Sequence, residues 1–397
     1  MGNRSGRREK QQEIKEEQQK KDQALAVAKI QEHLEKENKV ALNIAITGES
    51  GSGKSTFINA LRGIKDTEKG AAPTGSVETT RRATPYPHPD FPNVTLWDLP
   101  GTGTTMFPAA NYLKSVKFRR YDFFIIISSE RFRENDVKLA KEIQKQKKKF
   151  YFVRSKIDHN VHDEGRSKNV NAERTLAQIR DDCMERLQEL GVQSPQVFLI
   201  SSFDLHLYDF PLLEETLGRE LPEYKRDALL LAMPNISLEM ICKKKKAFRS
   251  KIKVFAALSA GVAGVPVPGL SMAVDIALLV GVVKQYLRGF GLDIMSLQRL
   301  ANRIVVPVQE LTNVIVSPLA GAEITTELVM EVLSQFSDTV ILMAAEEGCK
   351  FIPVFGIPIA MGLSFVTTQQ CLNKVLDMLA DDACRVFNRA LGLNPAE

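Results

Sequence analysis

Five cysteines among 397 residues, Cys183, Cys242, Cys349, Cys371 and Cys384, are odd in number, scattered and never in a C-x-x-C pair. That excludes a disulfide framework or a cysteine zinc site and reads as reduced thiols in a cytosolic setting. The N-terminus has charges where a signal peptide needs an apolar core, so none is expected. A strong charge of one sign is also missing. With 53 basic against 48 acidic residues the formal charge is +5, too mild for a global nucleic-acid field, and no nucleic-acid partner is expected. Residues Arg7 to Lys39 contain neither Gly nor Pro. There Ala24, Val27, Ile30 and Leu34 recur at helical spacing, which predicts an amphipathic helix preceded by a frayed, highly charged stretch. A length of 397 residues suggests about two to three domains with a sizeable core.

What the chain does have begins at Gly48. Gly48-Glu49-Ser50-Gly51-Ser52-Gly53-Lys54-Ser55 follows the apolar run Val40 to Thr47 and leads into a helical pattern. This is the spacing G-x-x-x-x-G-K-[ST] in its required strand-to-helix setting. Gly48, Gly51 and Gly53, with Ser50 and Ser52 between them, let backbone N–H groups approach phosphate oxygens at a helix N-terminus. Lys54 then reaches the β- and γ-phosphates, and Ser55 offers a hydroxyl to Mg²⁺, with Thr56 continuing the helix. The chemistry is nucleoside-triphosphate binding with magnesium.

Strand candidates alternate with helices from Val40 to Pro222. The strands are Val40 to Thr47, Val94 to Trp97, Phe123 to Ser128, Phe150 to Arg154 and Gln196 to Ile200. The helices are Phe57 to Arg62, Glu134 to Lys148 and Ala172 to Leu190. Apolar strands separated by helices predict an α/β domain, a mostly parallel sheet covered on both faces, with nucleotide at the strands' carboxyl ends. After Leu221 the strand signals stop. The expected division is 1–39, an N-terminal helical segment; 40–222, the nucleotide domain; and 223–397, an α-helical domain.

The base is read from strand ends. Asp98-Leu99-Pro100-Gly101 closes the strand Val94 to Trp97, placing Asp98 to hold magnesium through water and the Gly101 N–H to sense the γ-phosphate. Ser155-Lys156-Ile157-Asp158 closes the strand Phe150 to Arg154 and resembles an [NT]-K-x-D base-recognition element. The Asp158 carboxylate can accept two hydrogen bonds, from guanine N1–H and N2–H₂, which adenine does not offer. A site built on such bonds rejects the wrong ligand by roughly 10⁴-fold or more. Ser201-Ser202 stands where a loop closes over guanine O6. GTP and GDP are therefore the expected ligands, and an ATPase is the more distant reading. His159 and His162 beside Asp163 and Glu164 read either as a metal site or, for want of a further ligand pair, as loop surface.

These elements join Thr74-Gly75-Ser76-Val77-Glu78-Thr79-Thr80, Pro85-Tyr86-Pro87-His88-Pro89, Pro92 to Gly101, Tyr121-Asp122-Phe123-Phe124-Ile125-Ile126-Ile127-Ser128 and Tyr151-Phe152-Val153-Arg154. Together they resemble the immunity-related GTPases, the interferon-inducible, dynamin-like GTPases that act on intracellular membranes. The likeness is strong from about Val40 to Leu230 and looser beyond, where Ser296-Leu297-Gln298-Arg299-Leu300-Ala301 also fits. The resemblance implies an enzyme of innate immunity that hydrolyses GTP. Lys54 is similar to the lysine-type P-loop branch, whose members behave as effectors. Thr74 and Thr80 are implied in the first switch, with Thr80 joining Ser55 and Asp98 around magnesium, and Glu78 matches a glutamate implicated in hydrolysis. Thr102 follows Gly101, so the water-positioning glutamine of Ras-like GTPases is missing. Hydrolysis must be organised otherwise, through Glu78 when two such domains meet face to face across their nucleotides; the alternative is that Glu78 is a solvated switch residue. Ser155 replaces the usual Asn or Thr, and its hydroxyl can still bond across to the P-loop.

The remainder points to a membrane. Lys243-Lys244-Lys245-Lys246, Arg249, Lys251 and Lys253 precede Val254 to Val274, which carries no charge. That is nominally a bilayer length, yet Pro266, Pro268 and Gly269 cut it, so two short helices joined by the turn Val265-Pro266-Val267-Pro268-Gly269 are expected. A similar turn, Ile352-Pro353-Val354-Phe355-Gly356, interrupts a second apolar region. Core packing and shallow membrane contact are both open for these hairpins. The lysine cluster reads as a solvated helix face or as a contact for an anionic membrane surface, where each cation contributes ~1 kcal/mol. Gly2 stands where myristoylation requires it, but Gly6 replaces the motif's Ser or Thr. The expected protein is cytoplasmic, peripherally bound to intracellular membranes, and self-assembling; the rival is a GTP-dependent scaffold with negligible turnover.

Overall fold

A computed structural model describes Ala28 and residues 40–75, 82–102, 109–168, 172–263, 270–335, 353–354, 357–358 and 365–393. Two compact units emerge, one of them Val40–Ser237. The break falls after Ser237 rather than at Pro222. The reason is local: helix α7 (Glu223–Ala232) packs on the sheet strands Leu42–Gly48 and Val94–Asp98, and its Lys225 pairs with Asp122, whose other oxygen accepts the Asn43 N–H at 2.9 Å.

The sheet of the first unit has the order β2-β3-β1-β4-β5-β6. Its strands are β1 (Leu42–Gly48), β2 (Thr84–Pro87), β3 (Val94–Asp98), β4 (Phe123–Ser128), β5 (Lys149–Arg154) and β6 (Val197–Leu199). β1 runs parallel to both β3 and β4. The chain therefore leaves β1 first toward one side of the sheet and later toward the other, which makes the carboxyl end of β1 a topological switch point, where open α/β sheets bind ligands. β4 reads Phe-Phe-Ile-Ile-Ile-Ser with all six residues buried, the unbroken apolar run that a central strand covered on both faces requires.

β2 is the exception to a parallel sheet. It pairs antiparallel with β3, and no strand was expected there. Proline cannot donate to a ladder, but an edge strand has one side free of partners, and Pro85 and Pro87 are both exposed.

The helices of this unit are α1 (Lys54–Leu61), α2 (Ala109–Ser115), α3 (Glu134–Lys145), α4 (Ile157–Lys168), α5 (Ala172–Glu189) and α6 (Phe210–Glu220), besides α7. One face of the sheet buries Ala45, Phe124, Ile126 and Phe152 against Val137, Ala140 and Ile143 of α3 and Leu187 of α5. On the other, Ile44 and Ile125 meet Phe57 of α1 and Phe210 and Leu213 of α6; the rings of Phe57 and Phe210 lie edge to face, 6.5 Å apart. Full burial of each such side chain contributes about 1.5–3 kcal/mol. α3 stops short of Lys148 because Lys147 turns left-handed, φ 55°. α4 is a further departure: His159, His162 and Asp163 sit on a helix, not a loop, and no group of three or more metal-ligating side chains occurs among the described residues.

The second unit, from Leu238 on, holds α8 (Leu238–Ala263), α9 (Leu270–Phe290), α10 (Ile294–Ile304), α11 (Val308–Thr312), α12 (Thr326–Gln335) and α13 (Phe365–Ala390). α8, α9 and α13 pack on one another, with Phe248 of α8 edge-on to Tyr286 and Phe290 of α9 at 4.8 and 5.5 Å. The helices flanking the first proline turn are long, 26 and 21 residues, where short ones were expected; the turn, residues 265–269, lies outside the described residues. Of the second turn only residues 353 and 354 are described; 352, 355 and 356, and the expected helices on either side, lie outside the described residues. β7 (Pro353–Val354) and β8 (Ile357–Pro358) form a small antiparallel ribbon there. No described helix is long and apolar enough to cross a membrane. The four described cysteines, Cys183, Cys242, Cys371 and Cys384, are free thiols.

Candidate functional site

The site starts from one backbone constraint. Gly48 ends β1 with φ 139°, and a Cβ there would lie 2.0 Å from the Ile127 carbonyl oxygen of β4. Only glycine lets the chain leave the sheet at this point and turn into residues 49–53. Gly53 then takes a left-handed conformation, φ 92°, as N-cap of α1, and no side chain caps that helix or places an acid in its first turn. The helix start therefore keeps its positive end for an anion.

Lys54 is buried, and its Nζ donates to the Gly48 carbonyl at 3.1 Å and to the Glu49 carbonyl at 2.7 Å. These bonds fold the ammonium back over the loop that precedes it, so the cation and the loop's amides share one concavity. Ser55 Oγ donates to Asp98 Oδ2 at 3.0 Å. Asp98 is fully buried at the end of β3, in register with Ile46 of β1. A hydroxyl and a carboxylate brought together from the phosphate helix and the neighbouring strand form an oxygen donor set that suits Mg²⁺, which takes one or two carboxylates and completes its shell with water and phosphate. The donor set fits that ion, with Ser55 and Asp98 as the residues that would hold it.

Beyond Asp98 the chain stays beside β1: Leu99 N–H donates to Ile46 O at 2.9 Å and Thr102 N–H to Gly48 O at 3.4 Å, bringing Gly101 next to the P-loop. Thr102 is fully buried and fully engaged. Its hydroxyl donates to Asp136 Oδ1 at 3.3 Å, and its carbonyl accepts from Asn135 Nδ2 at 2.8 Å. Asp136 also accepts the Arg133 N–H at 3.1 Å, closing the first turn of α3. Burial pushes the Asp136 carboxyl up to about 6; the Arg133 N–H opposes this and the Glu49 carboxylate adds to it. Glu49 itself meets Arg133 Nε at 3.2 Å. Tyr112 of α2 donates to the Pro100 carbonyl at 2.9 Å and lies 2.9 Å from Thr47 Oγ1, bracing the same segment from behind.

None of Tyr112, Asn135 and Asp136 was identified from sequence. An acid three residues into a helix start is a visible capping signal, but its reach to Thr102 depends on how α3 lies on the sheet.

The Ser155 to Asp158 loop is tied to the Gly48 to Gly53 loop. Ser155 Oγ donates to the Ser52 carbonyl at 2.6 Å, while its N–H donates to Ser128 O at 2.8 Å. Lys156 is exposed and left-handed, φ 58°, and the turn it makes starts α4 at once. Asp158 is consequently in a first helical turn, half-buried, with His159 Nε2 3.7 Å from its Oδ2. Ile157 N–H donates to Ile200 O at 3.4 Å, which sets the loop after β6 alongside. Ser201 is fully buried there, accepting the N–H groups of Phe203 and Asp204, both at 3.2 Å.

The structure thus gathers Gly48, Ser50, Gly51, Ser52, Gly53, Lys54, Ser55, Thr56, Asp98 and Gly101 at the ends of β1 and β3. Lys156, Asp158 and Ser201 sit at the ends of β5 and β6. Thr74 is exposed in the connection that leads from α1 toward β2. Glu78 and Thr80 lie outside the described residues.

The family model for interferon-inducible GTPase matches residues 7–390. Interferon-inducible GTPase 5 of Rattus norvegicus is 44% identical over 370 residues, covering 92% of this chain and 79% of that protein. Interferon-gamma-inducible GTPase 10 of Mus musculus is 43% identical over 348 residues, 87% of this chain and 80% of that one. Interferon-inducible GTPase 1 of Mus musculus is 42% identical over 318 residues, 79% and 76% respectively.

Proposed function

We infer the working of this chain from one premise: it belongs to the interferon-inducible GTPase family. It is a GTPase. The observation that supports one nucleotide site is the 2.6 Å bond from Ser155 to the Ser52 carbonyl, which joins the loop carrying Asp158, the group that would select guanine, to the loop proposed to cradle phosphate. In a bound nucleotide the phosphates would take the P-loop amides, and Lys54 would exchange its carbonyl partners for phosphate oxygens. Asp158 would accept the guanine N1–H and N2–H₂. Mg²⁺ held by Ser55 and Asp98, with Thr80, would neutralise charge between the β- and γ-phosphates.

Thr102 does not orient the attacking water, since its hydroxyl is spent on Asp136 and it has no exposed surface. Hydrolysis is organised by another group, and Glu78 is our candidate. It becomes productive when two copies meet face to face, so that turnover follows self-assembly. The buried Thr102 also sustains the second reading, a GTP-dependent scaffold with negligible turnover.

Assembly is proposed to take place on anionic intracellular membranes, with the protein otherwise cytoplasmic and acting in cell-autonomous immunity. The basic cluster supports this less broadly than its sequence implies. Lys244 is buried and donates to the Gly289 carbonyl at 2.8 Å, Lys243 lies 3.4 Å from Glu239, Lys245 lies 2.7 Å from Asp377, and Arg249 pairs with the same carboxylate. Lys246 and Lys253 are exposed on α8 and are the cations offered to headgroups.

The test is a concentration series of GTP hydrolysis with neutral and with anionic liposomes. A rate per molecule that rises with protein concentration, and rises further on anionic vesicles, is expected; a flat, very low rate favours the scaffold. Substituting Lys246 and Lys253 by Ala, or adding salt, should weaken vesicle binding. Equal binding to both vesicle types at every salt concentration would remove the electrostatic contact.

A further inference from the structure

Phe203 leaves 62% of its surface exposed, while Phe152, Phe198 and Phe210 of the same unit are at most 2% exposed. Its place is fixed by the backbone. The Phe203 and Asp204 N–H groups both donate to the buried Ser201 Oγ at 3.2 Å, and the Ile200 N–H donates to Arg154 O at 2.8 Å while Ile157 N–H donates to Ile200 O at 3.4 Å. The loop that presents Phe203 is therefore held against the loop that presents Asp158. Tyr208 marks the same locality: burial raises its phenol above the ordinary range, and the carboxylates of Asp158 and Asp204 raise it further. The loop carrying this exposed ring is thus tied by backbone bonds to the loop carrying Asp158, the carboxylate proposed to read the purine edge.

We propose that Phe203 stacks on the guanine ring of bound GTP or GDP. Asp158 reads the edge of the base and discriminates; a ring face meets any purine alike, so Phe203 adds affinity without selectivity. The assignment rests on the guanine-nucleotide reading above. The contact does not involve the phosphates, so it acts equally on GTP and GDP.

The experiment measures Kd for GDP, a non-hydrolysable GTP analogue and inosine diphosphate, in magnesium, for the unaltered protein, Phe203→Leu, Phe203→Trp and Asp158→Asn. Phe203→Leu keeps apolar volume and removes the π face. It should weaken all three ligands by one common factor of about 5- to 150-fold, with the nucleotide-free melting temperature unchanged because the side chain is exposed. Asp158→Asn should instead change the ratio between guanine and hypoxanthine ligands. Phe203→Trp should retain affinity, and its fluorescence, read against the single native Trp97, should be quenched on saturation with GDP. If the unaltered protein fails to bind GDP, the guanine reading itself falls and the assignment with it. If it binds GDP and Phe203→Leu binds within twofold as tightly, or the Phe203→Trp signal is indifferent to GDP, only the stacking assignment is overturned.

Discussion

Ser155→Ala perturbs, at a single atom, the joint between the loop proposed to read the base and the loop proposed to cradle phosphate. In the folded chain the Ser155 hydroxyl donates to the Ser52 carbonyl at 2.6 Å, across 103 residues of sequence, and both residues are at most 2% exposed. Removing the donor leaves a buried carbonyl without that bond, and loss of such a partner costs about 1–3 kcal/mol. The Ser155 N–H bond to Ser128 O at 2.8 Å remains, so the strand end stays in place and the loss is confined to the loops. Two measurements separate its consequences. In urea, the transition of the nucleotide-binding unit should move by about 1–3 kcal/mol, and that of the helical unit should not move. In nucleotide titration, the P-loop must be reordered by the ligand itself, so Kd for GDP should rise by about 5- to 150-fold. An alanine variant with the same unfolding midpoint and the same Kd would refute the reasoning, since the bond would then be neither structural nor preorganising.

Lys54→Ala should abolish productive triphosphate binding through loss of the cation at the phosphates, whereas Asp158→Asn should weaken guanine nucleotides selectively; unlabelled ATP competing as well as GTP would contradict the base assignment. Glu78→Ala should leave affinity nearly intact and lower the rate measured at high protein concentration, because a group acting only in the transition state changes turnover rather than ground-state binding; an unchanged rate returns Glu78 to a solvated switch role. Asp136 makes stability depend on pH. Its folded carboxyl is raised to about 6 from an ordinary 3.8, so its contribution is fully present below about pH 4 and is lost as pH rises through about 6, by roughly 3 kcal/mol at most. Asp136→Asn should flatten that window in a series of unfolding curves, and a decline that persists in the variant would place its origin elsewhere.

The P-loop, the Asp98 to Gly101 segment, the Ser155 to Asp158 element and the central strands were legible in the amino-acid sequence alone. Each is a short run whose spacing dictates its own backbone: glycines where φ must be positive, β-rich apolar stretches for covered strands, acids at strand ends. The sequence could not say that Thr-Pro-Tyr-Pro forms an edge strand, because proline is tolerated only by virtue of the missing neighbour. Nor could it say that the Ser155 to Asp158 loop turns directly into a helix, which is decided by the left-handed Lys156 and the Ile200 carbonyl beyond it. The lysine cluster is the plainest case. Four consecutive lysines on one helix look equivalent as letters, yet successive residues point about 100° apart, so Lys244 turns inward to the Gly289 carbonyl while Lys246 faces water. Motif chemistry is local and is written in the chain; burial, the partner across 103 residues, and the choice of which charge is free to meet a surface arise only when the elements pack.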